Sequence, residues 1–148
     1  MILHVDDRLL HGKILHGWSA FSARRILLIS EDLDDEARVS AYKRVAHPVK
    51  LQCLLPGVDS LPPEMEGDFW LTDSLSIVKK LLEKKTQITS LVVIGLRQGG
   101  EELGPDFAPD STVRNLLDSL TLKGLKIEIQ AFPRAEAWIW PPRSSNTP

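Results

Sequence analysis

Short apolar runs alternate with longer amphipathic stretches along this chain of 148 residues. Residues 1–5 read as a strand. Residues 12 to about 21 carry Ile14, Leu15, Trp18 and Phe21 at helical spacing and predict a helix. The run RILLIS at 25–30 is apolar almost throughout, which suits a buried strand. Residues 34 to about 46 predict a second helix, with acids near its start where the helix dipole favours them. Pro48 bounds that helix, and 49–54 form a third strand.

The pattern weakens at 56–67, which hold three prolines and two glycines and predict a loop or one irregular turn. It resumes with a short strand at 69–72. A helix at 74–85 follows, with Leu75, Val78, Leu81 and Leu82 on one face. LVVIG at 91–95 is another buried strand. A glycine-rich loop (96–104) and a second loop with Pro105 and Pro109 come next. Residues 111 to about 123 predict a helix closed by Gly124, and 125–132 the last strand. Strand and helix in alternation predict a single-domain α/β fold, with a mostly parallel central sheet and helices on both faces. Such sheets bind ligands beyond the carboxyl ends of their strands. Three polar loops lie at those ends: 6–12, 72–74 and 95–100.

Composition narrows the class. Apolar residues at 43% and charged residues at 26% describe an ordinary globular chain. A net charge of -2 gives no overall basic field for nucleic acid. The lone cysteine, Cys53, excludes an internal disulfide and points to a reducing compartment, the cytoplasm. No apolar stretch reaches membrane-spanning length, and Asp6, Asp7 and Arg8 interrupt any signal-peptide pattern.

The chemistry gathers in DDRLLHG, residues 6–12. Neutral imidazole is available as a nucleophile near pH 7, so His11 suits a phosphoryl acceptor. Phosphoryl transfer is mainly positioning plus electrostatics. A helix starting at Gly12 would aim unpaired backbone N–H groups at an anion. Gly12 also leaves room beside His11, Arg8 can fork onto phosphate oxygens, and Asp6 can orient Arg8 or the imidazole. The same residues also fit a bland alternative, in which His11 is a surface or capping residue. Asp7 reads as a solvated loop acid. LRQGG at 96–100, with Arg97, is either an anion nest or a flexible loop. Thr72, Asp73 and Ser74 offer a helix cap. Cys53 reads as a small core residue. Arg24 and Arg25 are a docking patch or a solvated strand entry. Trp138 and Trp140 anchor a partner or cover the end of the sheet.

VDDRLLHGKILHGW, residues 5–18, closely resembles the start of the IIB component of the mannose/fructose/sorbose class of the bacterial sugar phosphotransferase system. RILLISEDLDDEARVSAYKRVA, LTDSLSIVKKLLE, LVVIGLRQGG and LLDSLTLKGLKIEIQAFP are similar to later segments of that family. The resemblance covers roughly residues 1–133 as one domain and leaves 134–148 as a Trp- and Pro-containing tail. It implies a cytoplasmic phosphocarrier, a protein-Nπ-phosphohistidine–sugar phosphotransferase. His11 would take a phosphoryl group from the IIA partner and pass it to a sugar carried by the IIC/IID membrane permease. The resemblance assigns Asp6, Arg8, Gly12, Lys13, Thr72 and Gly99 to the phosphate site and Arg25 to IIA docking. It calls for no metal, no cofactor and no nucleic acid, with membrane association through partners only. A regulatory phosphoprotein using the same His11 chemistry is the alternative. Three departures stand out. Lys13 replaces the family's usual Gln, the proline-rich 56–67 segment replaces a helix, and the tail carries WIWPP.

Overall fold

A computed structural model describes residues 1–18, 20–57 and 59–142, with the side chain of Phe21 outside the described part. Among the described residues, eight strands build one sheet in the order β3-β2-β4-β1-β5-β7-β8, with β6 pairing β5 off that path. The strands are β1 (Ile2–Asp6), β2 (Arg25–Ile29), β3 (Lys50–Leu54), β4 (Asp68–Thr72), β5 (Ser90–Arg97), β6 (Phe107–Ala108), β7 (Lys126–Ile129) and β8 (Trp138–Ile139). All pairings are parallel except β7 with β8. The helices are α1 (Glu36–Ala46), α2 (Leu75–Glu83) and α3 (Ser111–Leu122). Each begins at a residue whose side chain accepts backbone N–H bonds, namely Asp35, Ser74 and Asp110.

The central strands are apolar on both faces because both are covered. Leu3, Val5, Leu27, Ile29, Leu91 and Val93 face the side packed by α2 and α3. Ile26, Leu28, Leu71, Val92 and Ile94 face the opposite side with Ile14, Leu15 and Ala46. The predicted α/β sheet with helices on both faces is therefore the fold observed.

Three local expectations change. The helix predicted over 12–21 is a short π-helical stretch, Lys13–Gly17, closed by Trp18 N donating to Lys13 O, then a 3₁₀ turn at Ala20–Ser22. The predicted apolar stripe belongs to it only in part. Ile14 and Leu15 are buried, Trp18 spends its indole N–H on Ala131 O at 3.2 Å, and the side chain of Phe21 lies outside the described part. Residues 31–34 form a separate 3₁₀ turn before α1. The boundary drawn at residue 133 also moves. β8 pairs with β7, and Trp140 is buried in the main core, so the body of the fold runs on to at least that residue. The rest of the predicted tail, 143–148, lies outside the described residues.

Candidate functional site

β1 and β5 are neighbours in the middle of the sheet, but their connections leave on opposite faces. The segment after β1 packs Ile14 and Leu15 on one side. The connection after β5 leads to α3, which packs Leu117 and Leu120 on the other. This divergence opens a crevice at the carboxyl ends of the two strands, the position where open α/β sheets hold ligands. The register shifts here, with Val5 opposite Val93 and Asp6 opposite Gly95.

Gly95 is needed at that point. A Cβ on it would stand 3.0 Å from Asp6 Oδ2 and 3.3 Å from Asp6 Cγ. The Asp6 carboxylate is thereby held fully buried at the floor of the crevice. Burial of a carboxylate demands partners, and Asp6 has them. Oδ1 accepts from the Arg8 backbone N–H at 2.9 Å and from Arg8 Nε at 3.5 Å. Oδ2 takes His11 Nε2 at 3.0 Å. The His11 side chain remains 20% exposed, enough to be reached from outside.

Around this pair the two loops are strapped together by charge. Asp7 accepts from the Arg97 backbone N–H at 2.6 Å, and its carboxylate also takes the Arg97 guanidinium. Lys13 Nζ donates to Asp106 Oδ2 at 2.6 Å and lies 4.6 Å from the centre of the Phe132 ring. Asp106 stands 4.0 Å from Arg8 and 3.9 Å from Arg97 as well. Its carboxyl is held below the ordinary aspartate range, first by the Lys13 hydrogen bond. The cations at the crevice are the side chains of Arg8, Lys13 and Arg97. The π-helical stretch after Gly12 is too short to supply a helix-dipole contribution of the kind expected from a long helix.

The structure brings His11, Asp6, Arg8 and Lys13 together. Apart from its chain neighbours, Gly12 has no protein atom within 4 Å of a hypothetical Cβ, so the space beside it is open. Gly99 adopts φ 78° in the loop after β5, and a Cβ there would also meet open space. Its neighbour Gly100 is more constrained, because a Cβ would overlap Pro109 O at 1.9 Å. Thr72 ends β4 but is fully buried, and its hydroxyl donates to Ile29 O at 2.7 Å. Its expected place on the phosphate is not where the structure puts it; the hydroxyl ties β4 to β2.

Arg25 sits at the start of β2, level with Asp68, at the opposite end of the sheet from His11. Its guanidinium grips Asp68 at 2.6 and 2.8 Å and donates to Pro63 O. This side chain joins strand starts and stands far from the crevice. Asp7 corrects a reading too: it is 16% exposed and bound to Arg97, not a solvated loop acid. Asp106 was missed altogether, and no local motif marks it. Among the described residues, no group of three or more His, Cys, Asp or Glu side chains could hold a metal ion. No helix among them is long and apolar enough to cross a membrane. Cys53 is partly buried, and burial raises its thiol above the usual range.

No family model matches the chain. Individual proteins do. The fructose-specific EIIB component of the phosphotransferase system of Bacillus subtilis (strain 168) is 26% identical over 144 residues, 90% of this chain and 88% of that protein. The manxB structure from Thermoanaerobacter tengcongensis superposes with a TM-score of 0.79 at 22% identity, covering 94% of this chain and 92% of the other. The IIBSor domain of the sorbose permease of Klebsiella pneumoniae gives 0.75 at 24% identity, covering 93% and 90%. The chain is similar to phosphotransferase-system IIB components over nearly its whole length, and the resemblance drawn from residues 5–18 extends to the fold.

Proposed function

We propose, from the likeness to IIB components, that this chain is a cytoplasmic phosphocarrier of the phosphoenolpyruvate-dependent sugar phosphotransferase system, loaded on His11. The observation that carries the reading is the buried Asp6 carboxylate taking His11 Nε2 at 3.0 Å. A carboxylate accepts, so Nε2 holds the imidazole proton and the lone pair resides on Nδ1. Nδ1 attacks the phosphorus of a phosphohistidine on the IIA partner. The new N–P bond forms as the donor's N–P bond breaks, and its electron pair returns to the donor imidazole. Asp6 holds the ring orientation and offsets the positive charge gained by the His11 ring. Arg8, 39% exposed and loosely held at 3.5 and 4.0 Å, can swing its fork onto the phosphoryl oxygens.

In the second half-reaction a sugar hydroxyl attacks the same phosphorus. The N–P bond breaks, its electrons return to Nδ1, and the hydroxyl proton passes to solvent water. The sugar is presented by the IIC/IID membrane permease in this reading.

Labelled phosphoenolpyruvate with the upstream carriers tests the assignment. Acid-labile, base-stable label is expected on the native chain and is lost in His11→Ala. Label that persists in His11→Ala overturns the site. Sugar phosphorylation that depends on this chain in IIC/IID membranes separates transport from a purely regulatory phosphoprotein.

A further inference from the structure

The charges at the crevice cancel at rest. Three carboxylates (Asp6, Asp7 and Asp106) face three cations (Arg8, Lys13 and Arg97) within 4.0 Å contacts. The three acids differ in how firmly they are built in. Asp6 is fully buried and accepts a backbone N–H. Asp7 accepts a backbone N–H from Arg97. Asp106 is the most exposed, at 31%, and its carboxylate meets three cationic side chains: Lys13, Arg8 and Arg97. One guanidinium, that of Arg8, reaches both Asp6, which also takes His11, and Asp106. The Asp106 carboxylate therefore sits among the cations that an anion beside His11 would have to recruit.

The geometry points to Asp106 as a positioning residue that stands in for the phosphoryl group. It gathers Arg8, Lys13 and Arg97 while His11 is unmodified, and competes for them once an anion arrives. This deepens the phosphocarrier reading and rests on it for its biological use. Its consequence is energetic. A carrier that grips its phosphoryl group too tightly does not pass it on, and a resident carboxylate weakens that grip by one competing charge. Lys13 has a matching part. Its side chain is 12% exposed, and its ammonium, over the Phe132 ring, holds Asp106 beside the crevice. The Lys that replaces the usual Gln thus brings its own counter-charge.

Asp106→Asn is the test, and the fold should tolerate it. Asp106 has φ 55°, a conformation that Asn adopts readily. Its backbone carbonyl, which accepts from Leu96 N at 2.9 Å, is retained. The full-length chain is titrated with inorganic phosphate and followed by the NMR signals of His11 and the arginine side chains. The same variants are then phosphorylated with phosphoramidate, and the lifetime of the His11 label is measured. Loss of one competing charge at a partly exposed site is expected to tighten phosphate binding about tenfold and to lengthen the lifetime by a similar factor. Asp106→Glu is expected to restore native behaviour. Phosphate affinity that is unchanged or weakened in a folded Asp106→Asn protein overturns the proposal. If the native chain takes no label but Asp106→Asn binds phosphate more tightly, the stand-in role holds and the phosphocarrier reading fails.

Discussion

At the scale of single residues, the Asp6–His11 pair is decided by one proton. In the proposed relay Asp6 accepts from Nε2, which leaves the lone pair on Nδ1. Asp6→Asn changes this without changing the shape. The Asn amide can donate to Nε2, which then favours the proton on Nδ1 and blocks the nucleophile of the proposed relay. Initial phosphorylation by the upstream carriers is expected to fall about 100-fold, by analogy with tautomer-fixing carboxylates elsewhere. A rate within about twofold of native would show that the contact does not set the tautomer. DDRLLHG displayed His11, Arg8 and Asp6 together because they are close in sequence. Asp106 could not be found that way. It lies 93 residues from Lys13 and meets it only because β1 and β5 are adjacent.

At the scale of elements, β1 carries a half-buried histidine packed against the core. His4 stacks on Phe69 at a 4.2 Å ring separation and uses Nδ1 on Trp70 O at 3.0 Å. Burial pushes its imidazole down to about 4 from 6.5, with the Trp70 carbonyl opposing weakly. The unfolded chain therefore takes up a proton that the folded chain refuses between these values. The stability this lends the neutral fold is full above about pH 6.5 and is lost as pH falls towards 4. The shift corresponds to about 3 kcal/mol. Urea unfolding of the native chain from pH 7 to pH 4 should show this slope, and His4→Phe should flatten it. Equal slopes in both proteins would remove His4 as the cause.

The elements themselves were largely legible. Long periodic segments such as α2 and α3 and apolar runs such as β2 and β5 declare themselves through burial on one face or two. The two-residue strands β6 and β8 did not. Each is too short for any periodicity and exists because a neighbouring strand offers an edge. The stretch after Gly12 had an apolar stripe but is a π-helical turn, and the Trp18 of that stripe bonds Ala131, just beyond the end of β7.

At the scale of the whole molecule, the end of the chain completes the sheet. Trp140 is 5% exposed, packs edge-on to Phe107, and donates its indole N–H to Asp118 at 2.8 Å. Ending the chain after Pro133 removes this side chain and β8. The loss of a buried Trp costs about 3–5 kcal/mol, a large share of a typical domain's stability of about 5–15 kcal/mol. The melting temperature is expected to drop by about 10 °C or more. A truncated chain melting within about 2 °C of the full one would make residues 134–142 an appendage after all. The proline-rich segment before β4 forms one wall of a cleft. This cleft, of about 460 Å³, is lined by Ile29, Leu55, Leu61 and Leu81 among others.

The chain alone determined the α/β class, the strand-to-loop position of His11 and the neighbours that follow it in sequence. These depend on local spacing and on which faces are apolar, and both are written residue by residue. Only the tertiary structure decided which distant loop faces His11. It paired Asp7 with Arg97, seated Lys13 on Asp106, turned Thr72 into a strand tie and moved Arg25 to the far end of the sheet. The physical reason is the strand order. Which carboxyl ends lie side by side depends on crossover connections, and a charge finds its partner only after those connections have closed.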